Sequence, residues 1–239
     1  MKKIFKLTGK ILAAFLLTVF IYWLVISFPQ IFFKSEQFEN LYIYHHGNAD
    51  SGAVGNRALM KIKASGLYQQ NTIYRVFITD SETEHAFFTS FWSGSFGVYL
   101  LFANGNIFLR PSLIEQDRLI KPDGNLVSED RPLNYFIAHE VTHQMEYEYL
   151  GFSKYLALNV WIREGIADKI GRDRFDFPEM LDKYKSSARE MNPALSGLYL
   201  KYQLLVEYTL RDKNFDINLL LEANPGESQV EAKLANVIN

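Results

Sequence analysis

The pattern of apolar and polar positions divides this chain before any motif is considered. Residues 11–33 contain no charged side chain, whereas Lys2, Lys3, Lys6 and Lys10 precede the run and Lys34 closes it. As a helix rising ~1.5 Å per residue, residues 11–28 would span about 27 Å, close to a ~30 Å hydrocarbon core. Residues 31–33 can lengthen the apolar stretch past the break at Pro29. This predicts a membrane segment whose amino terminus the lysines hold in the cytoplasm. The sequence Ser27-Phe28-Pro29-Gln30-Ile31-Phe32-Phe33 offers no small-residue cleavage site, so the segment reads as an uncleaved signal anchor. The expected division is a cytoplasmic tip and anchor over 1–34 and one domain over 35–239. The anchor is expected to cross the cytoplasmic (inner) membrane once, with the domain on its periplasmic or extracellular side.

Beyond the anchor, residues 35–40 read as a short polar tether and 41–44 as an extended run. Val54, Leu59, Met60 and Ile62 are spaced for a helix over 52–67 closed by Gly66. Residues 72–79 read as a strand. Two further β-prone runs, 98–102 and 107–110, flank Ala103-Asn104-Gly105-Asn106, a hairpin signal. Asp130 as N-cap, followed by Arg131 and Pro132, predicts a helix running to Leu150 with Gly151 as its stop. Ser153 restarts a helical pattern that runs to Ile170 and ends at Gly171. Helices over 178–191, 193–211, 217–223 and 227–237 follow between Pro, Gly and Asn breaks. The fold class expected is α+β: a small strand-rich lobe over 41–131 flooring a cleft, then a mainly helical C-terminal half.

Composition changes this picture little but removes some functions. With 239 residues, 48% hydrophobic and 22% charged, the chain can build one substantial core in addition to a membrane segment. A formal net charge of -2 gives no electrostatic attraction for nucleic acid, so no nucleic-acid partner is expected. There is no cysteine, so neither disulfides nor thiolate chemistry are available.

The candidate chemistry lies in the helix of 132–150. His139-Glu140-Val141-Thr142-His143 places two imidazoles four residues apart, about 40° around a helix and one turn along it, so both can reach one ion. Glu140 projects beside that ion, where a carboxylate can take a proton from water whose pKa the metal has lowered toward ~7. A catalytic zinc site needs three protein ligands and an open position. Glu164, on the following helix in Trp161-Ile162-Arg163-Glu164-Gly165-Ile166-Ala167-Asp168, can return a carboxylate to the metal, and Gly165 permits close helix approach. Asp168, one turn further on the same face, can accept the remaining N–H of a ligand histidine and fix its ring.

His-Glu-x-x-His on one helix followed by Trp-x-x-Glu-Gly-x-Ala on the next resembles the gluzincin metallopeptidases, and the peptidase MA-like group among them. The resemblance covers 133–171 well and 199–208 more loosely. It implies a zincin-like domain binding one Zn2+ through His139, His143 and Glu164, with Glu140 as base and proton shuttle and Asp168 orienting a ligand. Members often carry an aromatic residue after the acidic one; here Lys169 stands there. The resemblance also implies a strand before the histidine helix that pairs with extended substrate, which places Asn106, Ile107, Phe108 and Leu109 in that role. The oxyanion donor expected is a tyrosine, Tyr199 or Tyr202, because all five histidines are at 45, 46, 85, 139 and 143. His45 and His46, adjacent in a strand, point to opposite faces and share no ion.

The activity this implies is that of a membrane-anchored zinc metallopeptidase that hydrolyses peptide bonds with a zinc-activated water, acting on a peptide or protein substrate. Two alternatives accompany it: a zinc amidase acting on cell-wall peptide linkages, and a membrane-tethered, metal-containing binding or assembly module without turnover. An intact Glu140 favours an enzyme, since Gln or Ala there would abolish water activation.

Overall fold

A computed structural model of the protein describes residues 2–90, 94–212 and 214–238. Helix α1 (Lys2–Ser27) is long and apolar enough to cross a membrane, and its 8–27 portion is almost entirely exposed. The side chains of Lys2, Lys3 and Lys6, which carry the expected orientation, lie outside the described part. Pro29 ends α1 because a proline disfavours helical geometry at the residue before it, and Phe28 leaves the helix at φ -129°. A 3-10 turn (Pro29–Phe32) then leads directly into the sheet.

Next come β1 (Lys34–Phe38), β2 (Leu41–His45), α2 (Gly52–Lys63), β3 (Tyr74–Ile78), α3 (Glu82–Phe88), β4 (Gly97–Leu100) and β5 (Asn106–Leu109). The strands form one sheet in the order β1-β2-β3-β5-β4. Pairing is parallel at β2–β3 and β3–β5 and antiparallel at β1–β2 and β4–β5. Two short strands, β6 (Ser112–Leu113) and β7 (Arg118–Leu119), make a separate ladder. The C-terminal half is helical: α4 (Leu133–Leu150), α5 (Phe152–Leu156), α6 (Val160–Gly171), α7 (Phe177–Lys185), α8 (Pro193–Ser196), α9 (Leu200–Thr209), α10 (Ile217–Ala223) and α11 (Glu227–Ile238).

Period-2 alternation sorts the sheet into two faces. Aliphatic Leu41, Ile43, Val76, Ile78, Ile107 and Leu109 point into the core shared with α2, α4, α6 and α9. Aromatic Tyr44, Phe77 and Phe108 point the other way and pack with Phe88 of α3 and Ile26 of α1. Phe33 joins that second cluster by an edge contact on Phe77, so the foot of α1 is packed against the domain. The fold is thus mixed α/β, with a sheet covered on both faces and α4 crossing its inner face.

Several boundaries depart from the sequence reading, each for a physical reason. Residues 34–38 are strand β1 rather than a tether; its polar residues suit an edge, where only one neighbour is needed. Asp130 does not cap α4. Its carboxylate binds Arg172, and the free N–H groups at the start of α4 go instead to Asp117, whose carbonyl accepts from Leu133 and whose Oδ1 accepts from Asn134 at 2.8 Å. The helix expected over 153–170 is two, broken where Asn159 adopts an extended conformation and clasps Asn224 and Pro225 with its amide. The helix expected over 193–211 breaks at Gly197, whose φ of 66° favours glycine. The helix expected over 178–191 ends at Lys185.

Candidate metal centre

The three side chains that the spacing nominated as ligands converge. His139 and His143 sit on consecutive turns of α4 with their rings 5.0 Å apart, and Glu164 comes across from the antiparallel α6. Glu164 Oε2 lies 3.4 Å from His139 Nε2 and 3.7 Å from His143 Nε2. In a tetrahedral site with bonds of ~2.0–2.1 Å, ligand atoms are separated by about 3.3 Å, so this spacing fits a small divalent ion. All three residues are buried, and one ligand atom from each lies within 4.8 Å of the others. This group could hold a metal ion.

Each imidazole turns its other nitrogen to a second carboxylate. His139 Nδ1 is 3.2 Å from Asp168 Oδ1, within ion-pair reach though off the line of a hydrogen bond. Asp168 is itself fixed by the Tyr135 hydroxyl and by Arg172 Nη2 at 3.1 Å. His143 Nδ1 is 3.2 Å from Glu146 Oε2. Glu164 is held from the far side, where Arg163 donates from Nε and Nη2 to Oε1, each at 3.1 Å. Such partners set which ring nitrogen faces the ion and so preorganise the ligands.

Burial and charge act together on these groups. Burial pushes Glu140 up to about 7, with the Glu164 charge adding to the rise and the His139 and Arg163 charges opposing it. For His139 burial acts downward, but Asp168 and Glu164 outweigh it and raise the ring to about 10. Burial likewise opposes ionisation of Glu164, yet His143, His139 and Arg163 hold it at about 2. Burial lowers His143 and, with the Glu164 charge, raises Glu146 well above the usual carboxylate range. Four buried carboxylates, at 140, 146, 164 and 168, share this interior with the Arg163 and Arg172 guanidinium groups and the His139 ring, whose proton a bound metal ion would replace.

No family model matches the chain, and no curated protein matches it.

The group lies in a cleft of about 550 Å³ lined also by Gly97, Val98 and Tyr99 of β4 and by Tyr155, Arg163 and Tyr199. The backbone of Tyr99, in β4, lies close enough to Glu140 to favour its charged form. A Cβ at position 97 would stand 2.6 Å from Glu140 Cγ, so only glycine lets that strand reach the carboxylate. Gly165 permits a close approach of α6 to α9: a Cβ there would meet the Tyr202 carbonyl oxygen at 2.6 Å.

The remaining candidates separate. Tyr199, the residue before α9, lines the cleft with its ring stacked on His139, centroids 6.1 Å apart; burial raises its hydroxyl pKa and keeps it a donor. Tyr202 stacks on Tyr199 from behind and lies outside the cleft wall. Asn106, Ile107, Phe108 and Leu109 are buried in β5 between β3 and β4, so they present no edge to a substrate. The outermost strand on that side of the described sheet is β4. Asn106 instead donates to the Ile26 and Ser27 carbonyls at 2.9 and 3.1 Å, capping the free end of α1. His45 and His46 diverge to Glu36 and Glu84. Lys169 pairs with Glu207 at 2.8 Å, away from the ligands. Among the site residues not found from sequence, Glu146 and Arg172 had a usable local signal, standing three positions after His143 and four after Asp168 on the same helix faces.

Proposed function

We propose that this chain is a membrane-anchored zinc metallopeptidase of gluzincin type, held by α1 with its domain outside the cytoplasmic membrane. The observation that carries the reading is the convergence of His139, His143 and Glu164 within 4.8 Å in an open cleft, with buried Glu140 lining the same cleft. A nitrogen, nitrogen, carboxylate-oxygen set with an open side suits zinc, which when bound acidifies water and polarises an amide carbonyl.

The chain's own residues divide the rest of the reaction. Glu140, held near neutrality by burial, takes a proton from the attacking water and returns it to the departing amine. Tyr199, in the same cleft, donates its hydroxyl proton in a hydrogen bond to the oxygen that gains charge. Asp168 and Glu146 hold the two imidazoles in orientation and take no part in bond making. Extended substrate lies along the outer edge of β4, the outermost strand on that side of the described sheet.

The test is a peptide-library digest by the full chain in detergent, with and without a chelator, beside Glu140→Gln. The expected result is metal-dependent cleavage that falls by about 10²–10⁴-fold in the variant. Bound metal with no cleavage by either protein would favour a binding module. Cleavage of cell-wall amides in place of library peptides would favour the amidase.

A further inference from the structure

Large apolar side chains stand exposed on three separate elements beside the foot of α1: Phe87 at the end of α3, Phe102 in the β4–β5 turn, and Phe152 with Leu156 on α5. Their exposure is 73% at Phe102, 60% at Leu156 and 48% at Phe152, in a domain whose core has room for aromatic clusters elsewhere. Contacts tie them to one level of the helix. Trp23 Nε1 donates to the Phe102 carbonyl at 2.9 Å, and the Tyr22 hydroxyl donates to the Phe87 carbonyl at 2.6 Å. Phe102 meets Phe152 ring to ring at 6.1 Å, and Leu156 is one turn further along the same face of α5.

Residues 22 and 23 lie five and four positions before the end of α1 at Ser27, about 6–7.5 Å along its axis. Helical side chains lean toward the amino terminus, which here is the membrane interior. The turn bearing Phe102 and the end of α3 bearing Phe87 therefore sit alongside the last turn of the apolar span rather than above it. We infer that this face is seated in the interfacial layer of a lipid bilayer, with Phe87, Phe102, Phe152 and Leu156 in contact with lipid. Tyr22 and Trp23 are the residue types that settle at that depth. The continuity of the patch with an apolar helix already suited to lipid names the bilayer as its occupant. Tyr155, between Phe152 and Leu156 in sequence, is buried and lines the cleft, so the same short helix borders the candidate metal centre and touches the membrane.

The inference rests on α1 being embedded, and one experiment separates the two. The chain lacks cysteine, so single substitutions Phe102→Cys, Phe152→Cys and Leu156→Cys can each carry a fluorophore in the full chain reconstituted into phosphatidylcholine vesicles with nitroxide-labelled lipid. Leu16→Cys reports on α1, and Met60→Cys on α2, across the sheet, is the aqueous control. The expected result is a several-fold larger loss of fluorescence to shallow lipid nitroxide at 102, 152 and 156 than at 60, and deep quenching at 16. Deep quenching at 16 with 152 and 156 matching 60 would overturn the seated face alone. Absence of quenching at 16 would overturn the anchor itself. Protection of 152 and 156 from both lipid nitroxide and aqueous iodide would mean that a protein surface covers the patch, and would also overturn the inference.

Discussion

The interior between α4 and α6 and the outer face of α5 invert the usual placement of side chains in opposite senses. Between α4 and α6, where a core would ordinarily be aliphatic, His139, Glu140, His143, Glu146, Glu164 and Asp168 are all buried. On the outer face of α5 and the neighbouring turn, where polar residues are ordinary, Phe102, Phe152 and Leu156 are exposed. Scattered surface leucines need no explanation, but buried charge and a connected apolar patch do. The proposed metal ion would answer the first inversion and the inferred lipid contact the second. Helix α5 and the adjoining β4–β5 hairpin join the two places, with Tyr99 and Tyr155 facing the cleft and Phe102, Phe152 and Leu156 facing outward.

If the two regions owe their composition to different partners, perturbations should separate cleanly. The largest effect is expected at the interior. Glu146→Ala, which frees His143 Nδ1, should weaken zinc binding by about 10–100-fold in a chelator competition titration while leaving one site per chain. A smaller and graded effect is expected from pH. His139, raised to about 10, carries a proton throughout the neutral range when no metal is bound, and an incoming ion must displace it. Raising the pH removes that competition, so apparent metal affinity should increase, by about tenfold per unit for one displaced proton. Calorimetry in buffers of different ionisation enthalpy should register the proton released. The smallest effect is expected on the outer face: Phe152→Ser should alter the thermal stability of the detergent-solubilised chain by no more than ~0.5 kcal/mol, because the side chain is already half exposed. A large loss there in detergent would show that the patch serves the fold rather than lipid.

What could be read from the sequence was what depends on local spacing. The ligand pair is one helical turn apart, Glu164 and Asp168 are one turn apart, and the β4–β5 hairpin is marked by Asn104-Gly105, so each was visible without tertiary information. The Ser81-x-x-Glu84 pattern at the start of α3 is equally local, with Ser81 Oγ accepting from the Glu84 N–H at 3.1 Å and the Glu84 carboxylate accepting from the Asp80 N–H at 2.6 Å. What escaped depends on contacts between distant segments. Asp117 caps α4 from 16 positions before its first residue, which leaves Asp130 free to bind Arg172. Whether Asn106–Leu109 forms an edge is decided by β4 adding outside it, and no property of those four residues records that. Tyr199 and Tyr202 are indistinguishable by composition; the break at Gly197 sets where α9 begins, and with it which ring reaches the cleft.

The central claim is that the buried polar cluster is a metal centre built by His139, His143 and Glu164, and it is tested most directly by elemental analysis of the purified full chain by mass spectrometry. The expected result is about one zinc ion per chain in the wild type and in Glu140→Gln, and a loss of that ion in His143→Ala with the fold retained by circular dichroism. Absence of stoichiometric divalent metal from zinc-replete wild-type protein, or its full retention in His143→Ala, would contradict the account.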